Sequence, residues 1–66
     1  MSEIELRVNA TQGTGVRAGQ TVRKNQILGQ KTDGSGQLYF CPIDGRVLKI
    51  DFDGENYEFI ITILPD

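Results

Sequence analysis

Residues 16–29 read V-R-A-G-Q-T-V-R-K-N-Q-I-L-G, residues 30–37 read Q-K-T-D-G-S-G-Q, and residues 38–50 read L-Y-F-C-P-I-D-G-R-V-L-K-I. A short strand ends near Val16-Arg17 and meets a turn at Ala18-Gly19-Gln20, where Gly19 supplies a backbone conformation other residues resist. Val22 and Ile27-Leu28 then resume the apolar pattern. Lys31, Thr32, Asp33, Gly34, Ser35 and Gly36 make the clearest break in the chain and predict a tight turn. Leu38, Tyr39, Phe40 and Cys41 return as an apolar strand stopped by Pro42, which cannot donate to a ladder. Ile43, Asp44, Gly45 and Arg46 read as the next turn.

Outward from that stretch the grammar stays that of strands. Ile4, Leu6 and Val8 alternate with Glu5, Arg7 and Asn9, as in a strand with one face on a core and one in water. Residues 9–15 are rich in Gly and Thr and read as a loop. Towards the carboxy terminus, Leu48, Ile50 and Phe52 alternate with Lys49, Asp51 and Asp53. Tyr57, Phe59, Ile61 and Ile63 alternate with Glu58, Ile60, Thr62 and Leu64. A two-residue loop at Gly54-Glu55 would pair Phe52 with Tyr57, Ile50 with Phe59 and Leu48 with Ile61. A loop at Asp53-Gly54 is the competing choice and shifts each pairing by two. No segment carries a 3.6-residue apolar period, so the expected fold is all-β, with about six or seven short strands.

The totals narrow the possibilities. At 66 residues the chain is one domain at most, and a chain of that size buries only about 60% of its unfolded surface. The usual supplements are a disulfide, a metal or a second subunit. Cys41 is the single cysteine and there is no histidine, which excludes an internal disulfide and disfavours a zinc or iron site. Self-association remains, and a homodimer is expected. The net charge of −2 and the dispersed Lys and Arg residues do not make the clustered basic face that nucleic acid calls for. Met1, Ser2, Glu3, Ile4 and Glu5 lack the start of a signal peptide, and no apolar run reaches the ~18 residues of a membrane span. With an unpaired cysteine, this predicts a cytoplasmic protein.

The layout V-x-x-G-x-x-V-x-x-x-x-I-L followed by P-x-D-G-x-V-x-x-I, over residues 16–50, resembles the biotinyl/lipoyl family, whose fold is a flattened all-β barrel-sandwich hybrid. Carriers of that family present a modified lysine at a hairpin tip, within Met-Lys-Met or Asp-Lys-Ala, eight residues before a proline. Counting back from Pro42 reaches Gly34, which has no side chain to modify. Lys31 is the nearest lysine and lacks the flanking residues. The chain also departs from the family by a plain hairpin around Gly54, where a carrier repeats V-x-x-G-x-x-V, and by Gln12-Gly13-Thr14-Gly15 in place of a Pro-x-x-G start. Similar strand segments occur in membrane-fusion adaptor subunits, in inserts of bacterial RNA polymerase subunits and in a small, strongly basic ribosomal protein.

Other candidate sites have plainer explanations. Asp51, Asp53 and Glu55 supply only a fragment of a calcium loop, and a charged strand face guarding against aggregation accounts for them. Those carboxylates could serve acid–base chemistry only in a cleft. Cys41 reads as a small buried hydrophobe. Gly34-Ser35-Gly36 precedes a strand, whereas phosphate loops precede a helix. Arg17, Arg23, Lys24 and Lys31 have no interleaved aromatic to stack bases. Neither catalytic residues nor a cofactor are expected. The expected role is a non-catalytic protein-binding or scaffolding module within a larger complex, neither biotinylated nor lipoylated, making contacts through sheet edges or through Tyr57, Phe59, Ile61 and Ile63. The alternatives are a carrier-like accessory subunit of a carboxyl- or acyl-transfer complex and an RNA- or ribosome-associated module.

Overall fold

A computed structural model describes residues 2–66; Met1, part of the amino-terminal stretch read above, lies outside the described residues. Among them the fold is all-β, with strands β1 (Ile4–Asn9), β2 (Thr21–Val22), β3 (Ile27–Gln30), β4 (Leu38–Phe40), β5 (Gly45–Asp53) and β6 (Glu58–Pro65). They form an antiparallel sheet in the order β1-β6-β5-β2 and a separate β3–β4 hairpin. The alternation in β1 does what it predicts. Ile4, Leu6 and Val8 lie opposite Ile63, Ile61 and Phe59, so one face of the large sheet is apolar from edge to centre. Leu28 of β3 closes over that face, and Val8, Val16, Val22, Leu28, Cys41, Val47, Ile61 and Ile63 are buried together as the core.

The segment before β3 is built from one turn used twice. Gln20 N–H donates to the Arg17 carbonyl at 3.1 Å, and Gln26 N–H donates to the Arg23 carbonyl at 3.0 Å. In each case the glutamine side-chain oxygen accepts from the N–H of the arginine three residues earlier, at 3.0 Å. The third residue of each turn has the positive φ that a type II turn demands, 87° at Gly19 and 73° at Asn25. R-A-G-Q and R-K-N-Q are therefore equivalent units six residues apart, and Val16, Val22 and Leu28 recur at the same interval as core residues. Val16 is buried outside any strand, where a strand end was expected.

The β5–β6 hairpin departs from both expected registers. Phe52 lies opposite Phe59 and Ile50 opposite Ile61, with a four-residue loop over residues 54–57. The loop is wider than expected because the Asp53 carboxylate organises it. Asp53 Oδ1 accepts from the Glu55 and Asn56 N–H groups, at 3.0 and 3.3 Å, and Oδ2 accepts from Asn56 Nδ2 at 2.9 Å. Nearer the start of β5 a bulge between Val47 and Lys49 leaves Leu48 as the extra residue. Val47 is therefore the buried core residue opposite Ile63, and Leu48, expected to face inward, is exposed.

Gly45 sets how closely β5 and β6 can approach, and Thr62 leaves a polar atom buried between them and the rest of the fold. Gly45 begins β5 and is not part of a turn; a Cβ there would collide with the Leu64 carbonyl oxygen and press on the Ile63 side chain. Thr62 is buried in the middle of β6, and its hydroxyl has no hydrogen-bond partner. Gly45→Ala is expected to destabilise the fold by about 1–3 kcal/mol, the range for overpacked sites. Thr62→Val keeps the shape and removes an unpaired polar atom, and should gain about 1 kcal/mol. Thermal melts check both, since in a domain of this size each kcal/mol moves Tm by about 4–8 °C.

Candidate functional site

Because β3 and β4 form a sheet of only two strands, one face can cover the core while the other stays in water. Leu28 and Tyr39 point towards the core side, whereas Ile27, Leu38 and Phe40 are 46%, 42% and 52% exposed. Ile27 and Phe40 are directly opposite in the register, and Leu38 is two residues from Phe40 on the same strand face. The result is a contiguous apolar patch. Beside it runs a shallow groove lined by Lys31, Gly36, Gln37, Leu38, Tyr39 and Phe40.

The tip of this hairpin is a self-contained turn. Lys31 N–H donates to the Gln37 carbonyl at 2.8 Å, Asp33 Oδ1 accepts from Ser35 N–H at 2.9 Å, and Ser35 Oγ accepts from Gln37 N–H at 3.1 Å. Gly34 and Gly36 take positive φ, 80° and 77°. Hydrogen bonds from the Ser35 side chain and then its backbone hold the Asp33 carboxyl below its ordinary range, with Lys31 adding a smaller charge effect. A Cβ at Gly34 would face open space. Lys31 sits at the base of the tip and lines the groove.

A second cluster lies at the far end of the large sheet. Phe52 packs edge-on against Tyr57 at 5.7 Å between ring centres and at a tilt against Phe59 at 5.5 Å. Phe52 and Tyr57 are exposed and Phe59 is half-buried. Tyr57 has φ 55°, a conformation uncommon for a bulky residue, held as its carbonyl accepts from Ala10 N–H at 3.0 Å. Of the four residues expected to meet a partner, Ile61 and Ile63 are fully buried in the core and cannot do so in the folded chain. Their burial has a simple cause. Their side of β6 is the inner face of a central strand.

The outer face of the same end carries a charge bridge. Arg7 Nη1 donates to Asp53 Oδ2 at 2.9 Å and to Glu58 Oε1 at 3.0 Å, linking β1, β5 and β6. The Asn56 amide first, and Arg7 second, lower the Asp53 carboxyl to about 2. Both Asp53 oxygens are thus engaged within the loop and by Arg7, which leaves the fragmentary calcium pattern without its central ligand. A small polar cleft nearby is lined by Asn9, Thr11, Thr32, Asn56, Tyr57 and Glu58. Cys41 is buried and its thiol donates to the Ile43 carbonyl at 3.0 Å. Arg17, Arg23, Lys24 and Lys31 are exposed. Among the described residues no helix is long and apolar enough to cross a membrane.

The sequence reading missed Ile27, Leu38 and Phe40 as surface residues. The signal available to it was the alternation itself, which sets Leu38 and Phe40 on the face opposite Tyr39. Comparison with protein families, with curated proteins and with solved structures finds no match to this chain.

The Asp53 bonds make a pH prediction. A carboxyl lowered in the folded state stabilises the fold above its ordinary value of 3.8, and that contribution is lost as pH falls through about 2. Tm should therefore fall between about pH 5 and about pH 2, and Asp53→Asn should flatten the fall. Melts across that range check it; an unchanged slope in the variant would place the acid sensitivity elsewhere.

Proposed function

We propose that this chain is a non-catalytic protein-binding module of biotinyl/lipoyl-like, barrel-sandwich architecture, in which the hairpin that would carry a cofactor is a docking surface. The reading rests on one observation: Ile27, Leu38 and Phe40 stand exposed side by side on the β3–β4 hairpin, and the tip above them offers Gly34 where a carrier needs lysine. Burying large apolar side chains gives about 25 cal/mol per Å², and aromatic anchors at the centre of an interface dominate its affinity. The partner that fits is a protein segment presenting aliphatic or aromatic side chains, with an acidic group to meet exposed Lys31. A free, buried Cys41 suits a cytoplasmic setting.

A carrier-like accessory role is the second reading, and the exposed Lys31 beside the groove favours it. Intact mass of the protein from its own cells separates the two, since a biotin- or lipoate-linked increment on Lys31 supports the second. For the first, tagged wild-type protein and Phe40→Ser are used as baits in extracts with and without nuclease treatment. A partner held by the wild type should bind the variant at least about tenfold more weakly, with both proteins melting alike. Equal capture by the two would remove the β3–β4 face from the reading, and capture that disappears with nuclease would point to RNA.

A further inference from the structure

Strand β5 has nine residues, but β2 pairs with it only at Gly45 and Arg46. The last backbone contacts on that side are Gly19 N–H to the Val47 carbonyl at 2.7 Å and Val47 N–H to the Gln20 carbonyl at 2.9 Å. Beyond Val47, among the described residues, the side of β5 away from β6 has no strand and no backbone partner. An unpaired edge of this kind is a template for another strand. Leu48, 41% exposed, and Phe52, 55% exposed, flank the half-buried Ile50 along it. Lys49 and Asp51 alternate with them and are themselves exposed, 3.5 Å apart.

The order of those side chains is self-complementary. In an antiparallel pairing of two copies about a two-fold axis at Ile50, Lys49 of each copy lies directly opposite Asp51 of the other. Ile50 lies opposite its own equivalent, and Leu48, the bulged residue, stands at the end of the row nearest Phe52 of the other copy. Directly opposed residues have Cβ atoms about 4.5–5.5 Å apart, and opposite charges or apolar–aromatic pairs there stabilise the ladder. Keeping the same faces together, the neighbouring two-fold registers centre on Lys49 or on Asp51, and each then opposes two like charges. Only the Ile50 register satisfies both the charged row and the apolar row. Gly19 and Gln20 occupy the Val47 position, so the ladder stops after five residues, Leu48 to Phe52, on each chain.

The opposite edge of the sheet is a poorer candidate for the same reason of remaining gain. Glu5 and Arg7 also oppose one another about Leu6, but Arg7 is already held by Asp53 and Glu58. Val8 on that strand is fully buried. The β5 edge keeps its charges free of other strands and leaves Leu48 and Phe52 exposed.

We infer that the chain self-associates through the free edge of β5, residues 48–52 of two copies pairing antiparallel about Ile50 to join their large sheets. This goes beyond the docking role of the β3–β4 hairpin and does not use that face, so either can fail without the other.

The test is sedimentation equilibrium of the whole chain up to about 1 mM, in a range where weak complexes register, for the wild type, Lys49→Asp, Asp51→Lys and the double swap. The wild type should be a concentration-dependent dimer. Each single reversal opposes like charges at two places per dimer and should weaken association at least about tenfold. The double swap should restore it, and mixing the two single variants should give a heterodimer in which every 49–51 pair is again opposite in charge. Both side chains lie in solvent, and restored pairing on mixing shows that the single variants remain folded. A wild type that stays monomeric throughout, a dimer indifferent to both reversals, or reversals that neither the swap nor the mixture rescues would each overturn the inference.

Discussion

The bulge at Leu48 is the constraint from which most of this structure follows. Gly45 and Val47 face the core in the first part of β5, and a strictly alternating strand would continue by sending Lys49 and Asp51 inward as well. Burying an unpaired ammonium and carboxylate costs far more than any local backbone irregularity. One extra residue resets the phase, so that Ile50 and Phe52 continue the inner face opposite Ile61 and Phe59 while the charges remain in water. The open edge has its own origin, since β2 pairs only with Gly45 and Arg46 and the Gly19-Gln20 turn ends the contacts at Val47. Core composition and charge placement therefore share one cause.

That cause also explains which parts of the fold were legible in the sequence. The all-β class, the β1 alternation and the strand starting near Leu38 follow from period-two patterning, which depends only on neighbouring residues. The β5–β6 register does not. Alternation read backwards from Phe52 through Ile50 reaches Leu48, and nothing in L-K-I-D-F announces that the phase changes there. The loop was misplaced for a related reason: Gly54 is a strong turn residue, but the Asp53 carboxylate gathers Glu55 and Asn56 into a wider turn that glycine content does not encode. The R-A-G-Q and R-K-N-Q turns were visible as residues, though their equivalence appears only once both glutamine side chains are seen closing the same ring.

The candidate site was legible in kind and not in place. Five aromatic residues in so short a chain imply that some stay near the surface, yet Ile61 and Ile63 look no different in sequence from Phe52 and Tyr57. Position within the sheet separates them. β6 is central and its inner face is roofed by β3, whereas the end of the hairpin projects past that roof. Leu38, Phe40 and Ile27 are exposed for the complementary reason, since a two-stranded sheet that covers a core with one face has nothing left to cover the other.

A 66-residue chain with these strands has more apolar surface than it can roof over. The excess is not scattered. It lies on the outer face of the β3–β4 hairpin and along the unpaired part of β5, and the two differ in how they are guarded. Lys49 and Asp51 stand within the β5 row, and a strand added there must match their charges or oppose them, which restricts the edge to few partners. The hairpin patch has Lys31 only at its border and no charge inside the Ile27–Phe40 pair. In the proposed docking role its selectivity would come from shape and from the groove beside Tyr39. An edge read by charge order suits a copy of the same sequence, and a patch read by shape suits a different protein, so the two surfaces need not compete for one occupant.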